Sequence, residues 1–334
     1  MKRMSRIQRS LCNVTSRVLG GGLYLCMILG VFCGLASKSD ASEPYSLQVP
    51  LGLNSDLAVI PEDNPLTKEK VELGKFLFFD KRLSKNDSIA CSSCHVPSLA
   101  FTDGQPVSTG IHRLQGGRGA PTAINRVFSS VQFWDGRALT LEDQSVGPFV
   151  SPVEHGFANH GELVGKINHI PGYVKLFQTV FGTEATTTTV GQAIASFQRT
   201  LVSGNSAFDR FNSGTDPKAL SESAKRGLTV FRGKALCFMC HSGGNFTDEK
   251  FHNLGVDWDS EHVDLGRYIV TKVPKDMGAF KTPTLREISR TAPYMHDGRF
   301  GTLRQVVDFY AEGGIANPHK DPLIQPLELT ENER

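Results

Sequence analysis

The 334-residue chain has no charge bias of either sign. Lysine and arginine together number 36, aspartate and glutamate 34, and the formal net charge is +2. This balance gives no case for nucleic-acid binding, and the charges are interspersed rather than gathered into acidic or basic tails. Alternating apolar and polar residues never run long enough to predict a sheet. The sequence therefore predicts a mainly α-helical protein with no nucleic-acid partner.

Cysteine is scarce outside two short strings. Three of the seven cysteines fall in an N-terminal leader: Cys12, Cys26 and Cys33. The other four form two C-x-x-C-H strings, at residues 91–95 and 237–241. If the leader is removed, every remaining cysteine belongs to one of these strings, and no disulfide is expected.

A C-x-x-C-H string is the attachment pattern of a c-type haem, in which two thiolates form thioethers to the porphyrin and the histidine supplies an axial nitrogen. A zinc ribbon would need the two cysteine pairs about 15–20 residues apart, much closer than they are here. Thioredoxin-like chemistry needs one pair and no following histidine. The strings predict two covalently bound haems, with these cofactor-binding residues: Cys91, Cys94, His95, Cys237, Cys240 and His241.

Residues 1–41 have the parts of a secretory signal: a basic start, an apolar stretch and a small-x-small site at Ser39 and Ala41. Residues 19–36 are also long enough to be a signal anchor at the lower limit of a membrane span. Export suits covalent haem attachment, which in bacteria takes place outside the cytoplasm. We therefore expect a periplasmic protein that contacts the membrane only if the leader is not cleaved.

The mature chain is predicted to form two cytochrome c-like helical haem domains, residues 42–215 and 216–334, joined through a connection at 202–218 that is rich in turn residues. The threonine run at 186–189 is expected to be a solvated loop. Apolar residues at helical spacing predict helices at 67–79, 190–201 and 221–231.

Four further strings accompany the haem strings: FWDGRA at 133–138, PVE at 152–154, FKTPTLR at 280–286 and APYMHDG at 292–298. With them the chain resembles the bacterial di-haem cytochrome c peroxidases, including the MauG branch, from about residue 64 to about 314. The resemblance implies that hydrogen peroxide reacts at the haem on His95 and that electrons enter at the haem on His241. It also implies that Trp134 lies between the haems and helps electrons pass.

In that family a carboxylate over the peroxide-binding face moves a proton between the two peroxide oxygens. Glu154 matches it, and Gln144 and Pro148 match other residues of the same pocket. Taken alone, Glu154 would be read as a solvated surface residue.

The distal ligand of the second haem separates the branches. Ordinary peroxidases carry methionine at the place where this chain has Tyr310, and MauG-like members carry tyrosine. An anionic phenolate stabilises ferric iron and lowers the haem potential. Met295 is a weaker alternative ligand, and Tyr310 could instead simply end an amphipathic helix. His112 lies close to a histidine that caps the peroxidatic haem in ordinary family members, although a histidine in this loop could equally be solvent-exposed.

Calcium between the domains of family members takes an asparagine side chain from a position that is Gly119 here. One oxygen ligand fewer weakens a site that needs six to eight, so the resemblance leaves calcium doubtful. The resemblance favours a peroxidase that uses a small cytochrome c or cupredoxin as its electron donor. Two alternatives stay open: a MauG-type enzyme that oxidises tryptophans of a protein substrate to a quinone cofactor, and a non-enzymatic electron-transfer cytochrome.

Overall fold

The computed structural model describes residues 42–334, which form one unit. They are rich in helix, and the one sheet among them pairs two-residue strands, β1 (Phe251–His252) and β2 (Phe280–Lys281), antiparallel. Their α-helices are α1 Lys68–Phe79, α2 Cys91–Cys94, α3 Leu141–Val146, α4 His160–Asn168, α5 Pro171–Phe181, α6 Thr187–Arg199, α7 Ala207–Asn212, α8 Glu222–Arg232, α9 Tyr268–Thr271 and α10 Leu303–Ala311. None of these helices has the length and apolar character that crossing a bilayer requires.

The three predicted helices are confirmed as α1, α6 and α8. Helix α1 begins where the sequence indicates, because the Thr67 hydroxyl accepts a hydrogen bond from the Lys70 amide at 3.3 Å and caps the first turn. Its inner face buries Leu77 and Phe78 completely. Each such side chain contributes about 1.5–3 kcal/mol of burial free energy, so α1 anchors the core of the N-terminal half.

The prediction of a solvated loop at 186–189 is wrong. Thr186 caps α6 and Thr189 lies in its first turn, because the Thr189 amide donates to the Thr186 hydroxyl (3.1 Å) and the Thr186 amide donates to the Thr189 hydroxyl (2.9 Å). The predicted connection at 202–218 contains α7. Its Asp209 is buried and accepts a hydrogen bond from Arg286 Nη2 at 2.9 Å, which ties the segment to the C-terminal half.

Two stretches of the chain share one local structure, the first around Trp134 and the second around His296. Each contains a short antiparallel bridge, Gln132 to Ala138 in the first and Tyr294 to Phe300 in the second. The following helices, α3 and α10, are capped by Thr140 and Thr302 at matching positions. This repeat is what two related haem-binding halves would produce, although the boundary at 215/216 stays a prediction. The predicted signal at 1–41 lies outside the described residues.

Candidate active site

The first C-x-x-C-H string folds as the single turn of α2 followed directly by His95. The Nδ1 atom of His95 lies 2.9 Å from the carbonyl oxygen of Phe101. A carbonyl only accepts, so Nδ1 carries the proton and Nε2 keeps its lone pair. Burial lowers the pKa of His95, which favours the same neutral ring. The imidazole is therefore prepared to bind a metal through Nε2.

The second string repeats this arrangement. The Nδ1 atom of His241 lies 3.0 Å from the carbonyl oxygen of Phe246, and burial lowers the pKa of this ring too. Both phenylalanines belong to a Phe-Thr-Asp triplet, at 101–103 and 246–248, and both have positive φ, 59° and 51°. Sequence reasoning missed these triplets, although their recurrence after each string was a visible signal.

The thiols of the first string are poorly suited to dithiol chemistry. Burial raises the pKa of Cys91 to about 12 and that of Cys94 to about 11. Redox-active cysteines instead have lowered pKa values in electropositive surroundings. These thiols fit thioether attachment better than disulfide exchange.

A cavity of about 1280 Å³ is lined by residues of both strings. Nearly all the predicted site residues also line it: Trp134, Gln144, Pro148, Glu154 and Tyr310. The donor set fits two covalent haems, because each string offers a free imidazole nitrogen to this mostly apolar space. Three of the four thiols line the cavity: Cys94, Cys237 and Cys240. Cys91, one turn before Cys94 in α2, does not line it.

Glu154 lies close to the first string, since its charge acts on both Cys91 and Cys94. Burial raises the pKa of Glu154 even though a hydrogen bond from Ser151 opposes the shift. Its backbone is fixed by the Ile111 amide, which donates to the Glu154 carbonyl at 2.9 Å. A carboxyl group with a raised pKa beside a metal-binding histidine is suited to taking up and returning a proton.

The repeat places Pro148 and Tyr310 at equivalent positions, the same number of residues after the capping threonines Thr140 and Thr302. In the first copy α3 gives way to a 3₁₀ turn, Gly147–Val150, because proline cannot continue the α-helical hydrogen bonding. In the second copy α10 continues and carries Tyr310 into the cavity. Tyr310 lies near Cys237 and Cys240, and burial raises its pKa well above its usual value. The first copy therefore offers no side-chain ligand at this position, whereas the second offers a phenol.

Trp134 and His296 occupy equivalent places in the two copies, and Gly119 connects them. The Trp134 Nε1 atom donates to the Gly119 carbonyl at 2.9 Å, and the Gly119 amide donates to the His296 carbonyl at 2.8 Å. The His296 ring is buried and stacks on Phe280 with centroids 3.6 Å apart. Trp134 is thereby held at the junction of the two copies.

His112 is not brought to the cavity lining. Its side chain is exposed, and its backbone has a φ of 56°. The adjoining Gly110 packs directly against the backbone of the Glu154 segment, where an added Cβ would lie 2.0 Å from the Val153 carbonyl. Iron ligation by His112 stays a prediction.

The residues present do not fit the calcium site of the family. Gly119 has no side chain to offer, and a Cβ there would lie 2.9 Å from the Pro106 carbonyl. The neighbouring Arg118 already brings a positive charge, held by Asp264 at 2.6 Å and by Asp135 at 2.7 Å. Because Asp135 and Asp264 are both engaged by Arg118, neither replaces the missing asparagine oxygen as a calcium ligand.

Chelation is therefore expected to leave the stability of the protein unchanged. A ligand that binds only the folded state raises the melting temperature by mass action, so a bound calcium would reveal itself on removal. We expect the same melting temperature in EDTA and in millimolar calcium, measured by haem absorbance. Magnesium serves as the control for ionic strength. A higher melting temperature in calcium alone would contradict this prediction.

A second group of ligating side chains lies beside the second string. Cys240, Asp248 and His252 bring their ligand atoms within 4.8 Å of one another. Because Cys240 belongs to a C-x-x-C-H string, its sulfur is predicted to form a thioether to haem and would then not be available to a separate metal ion. His252 instead bridges two carboxylates, Asp248 at 3.0 Å and Asp321 at 2.6 Å.

Comparison with known proteins agrees with this geometry. The family model described as di-haem cytochrome c peroxidase matches residues 68–217. The methylamine utilization protein MauG of Methylorubrum extorquens is 41% identical over 82% of this chain and 77% of its own length. The cytochrome-c peroxidase IdrP1 of Pseudomonas sp. (strain SCT) is 36% identical over 93% of this chain and 88% of its own.

A solved structure has the same fold. The crystal structure of a MauG-like protein associated with microbial copper homeostasis superimposes with a TM-score of 0.77 at 34% identity, covering 86% of this chain and 92% of that one. The resemblance seen in the sequence is thereby confirmed. The chain belongs to the di-haem cytochrome c peroxidase family and is an oxidoreductase of that class.

Proposed function

We propose that this protein is a periplasmic peroxidase that reduces hydrogen peroxide to water with electrons from a small cytochrome c or cupredoxin. The observation that carries the proposal is the asymmetry between Pro148 and Tyr310 at equivalent positions of the repeat. Proline leaves one side of the first haem site without a protein ligand, so that a small substrate can enter there. When bound, the haem supplies the iron at which the O–O bond breaks.

The protein's contribution at the first site is proton transfer. The Glu154 carboxylate takes a proton from one peroxide oxygen and returns it to the other, which then departs as water. The Gln144 amide, on the same cavity wall, can orient the peroxide by donating or accepting a hydrogen bond. The complete reaction consumes two electrons and two protons for each peroxide and forms two waters.

The second site is arranged to receive electrons. Between its cysteines it exposes Phe238 (45%) and Met239 (59%), where the first string has two serines. Such a small apolar surface suits brief docking of a small redox protein. Electrons then pass toward the first site by way of Trp134, which lines the cavity and is fixed by Gly119.

A MauG-type activity is the second candidate, and Tyr310 is the observation that favours it. A tyrosine ligand makes the second haem harder to reduce and easier to oxidise than methionine would. The electrons would then come from tryptophans of a protein substrate, which become part of a quinone cofactor. The likeness to the methylamine utilization protein MauG supports this candidate as well.

Peroxide consumption with a reduced small donor separates these candidates. With the protein carrying both haems, we expect peroxide-dependent oxidation of reduced cytochrome c or cupredoxin at a steady rate. No turnover with any small donor, together with oxidation of a quinone-precursor protein, would assign the MauG role. If both irons were six-coordinate in every redox state and did not react with peroxide, the protein would be an electron-transfer cytochrome.

A further inference from the structure

Arg126 brings a positive charge to the cavity without a carboxylate to balance it. Arg126 lines the cavity, and its Nε donates only a long hydrogen bond of 3.4 Å to the Ile124 carbonyl. Within residues 42–334, no carboxylate lies at ion-pairing distance from it. Burial lowers the pKa of Arg126, and its nearest compensating charge is the more distant Glu249. A buried guanidinium of this kind needs an anionic partner.

Lys281 lies in the same wall of the cavity and carries a second positive charge. Only 4% of its side chain is exposed, and its Nζ lies 3.2 Å from Glu249 Oε1. Glu249 is itself shared, since it also accepts hydrogen bonds from Ser129 and Ser130. Arg126 and Lys281 thus bring two positive charges to this part of the cavity, and Glu249 balances only one of them.

Neighbouring carboxylates do not supply the missing negative charge. Asp248 is engaged by His252 at 3.0 Å and by the Lys250 amide at 3.0 Å. Asp135 and Asp264 are held by Arg118. The cavity itself is the remaining direction from which an anion can approach Arg126 and Lys281.

We propose that Arg126 and Lys281 form a receptor for a haem propionate, with Arg126 gripping the carboxylate by two parallel N–H donors. A haem carries two propionate carboxylates on the edge away from its thioether bonds, and these are the anions that a haem brings into a cavity. The planar guanidinium matches a carboxylate in geometry, which a lysine ammonium does not. The inference requires haem attachment but does not depend on peroxide turnover.

The receptor is joined to the predicted electron path. The backbone amide of Lys281 donates to the Trp134 carbonyl at 2.8 Å, so the segments that carry the receptor lysine and the indole are joined directly. Neutralising a propionate also removes a negative charge that would otherwise stabilise ferric iron. Arg126 is therefore a positioning residue that holds one haem and raises its reduction potential.

Substituting Arg126→Gln tests this role through the potential of each haem, measured by spectroelectrochemical titration. We expect the potential of one haem to fall, because its propionate is no longer neutralised. The unpaired carboxylate should have a raised pKa and take up a proton on reduction, so that the potential becomes pH-dependent, approaching about 59 mV per pH unit, the equivalent of a tenfold change for one electron. The haem whose potential shifts is the one whose propionate binds Arg126.

The Glu249→Gln variant should shift the reduction potential in the opposite direction. Removing this negative charge is expected to raise the potential of the same haem, which a merely structural defect would not do. The control is Lys234→Gln, which removes a cavity-lining cation already balanced by Glu333 at 2.8 Å. Haem content is counted by the pyridine haemochrome in every variant. If Arg126→Gln does not retain two haems, the test rests on Glu249→Gln: a raised potential of one haem supports the receptor, and an unchanged potential contradicts it.

The proposal would be overturned if Arg126→Gln and Glu249→Gln each carried two haems and their potentials differed from those of the parent by no more than the potentials of Lys234→Gln do. Opposite shifts in Arg126→Gln and Glu249→Gln would support it even in a protein that showed no turnover of peroxide. Failure of the proposed function and failure of this inference are therefore distinguishable.

Discussion

Glu154→Gln is expected to lower peroxide turnover by about 10²–10⁴-fold, the usual contribution of a general acid–base residue. Glutamine keeps the shape and a hydrogen bond but cannot take up the peroxide proton. Glu154 is not one of the residues predicted to attach haem, so both haems should remain bound. Steady-state turnover together with the pyridine haemochrome measures both outcomes.

The pH profile makes this test specific to proton transfer. The ionised carboxylate begins the reaction, so turnover should fall as the pH drops through the pKa of Glu154. Burial raises that pKa, which places the fall above the value of about 4.3 for an ordinary glutamate. The fall should disappear in Glu154→Gln. Glu162→Gln, a change at a more exposed carboxylate on α4, serves as the control. Near-parental turnover in Glu154→Gln would remove the residue from the mechanism.

Tyr310→Met is expected to raise the reduction potential of the second haem by an amount on the order of hundreds of millivolts. Axial ligands set haem potentials over a range of about 0.8 V, and thioether ligation favours ferrous iron whereas phenolate favours ferric iron. Optical and magnetic spectra of the ferric protein should show one haem acquiring His/Met character. The other haem should keep the spectrum it has in the parent.

Two further variants show whether the effect comes from ligation. Tyr310→Phe removes the phenol oxygen and should leave the second iron with an open position that small ligands can reach. Tyr294→Phe changes another tyrosine of the same cavity, whose hydroxyl donates to the Ile288 carbonyl at 3.0 Å, and should leave both potentials in place. Unchanged spectra in Tyr310→Met would show that Tyr310 only packs in its helix.

Local signals predicted the helices well. Thr67 and the apolar spacing that follows it define α1 within a single stretch of chain, so its prediction needed no knowledge of distant contacts. The low complexity of the threonine run before α6 predicts a loop, whereas two of its hydroxyl groups form a reciprocal cap that starts the helix. Helix α7 was missed since the burial of Asp209 against Arg286 is a tertiary contact that the turn residues around it conceal.

The site was predictable to the extent that its residues stand in recognisable strings. Five of the six predicted haem-binding residues line one cavity together with Trp134, Glu154 and Tyr310, although the roles of these residues stay predictions. Arg126 and Lys281 were not singled out, because an unbalanced charge becomes visible only when the surroundings of each side chain are known. For His112, the position in the chain suggested a haem ligand, but its side chain is exposed.

The repeated segment around Trp134 and His296 has a consequence for how the protein arose. Matching bridges, caps and turn geometries in both copies are the mark of a duplicated ancestral module. The copies differ at one decisive position, where Pro148 stands in the first and Tyr310 in the second. If the proposed function holds, the division of labour between an open iron and a closed one depends on this one position, where the exchange of proline for tyrosine changes both the available ligand and the local helix.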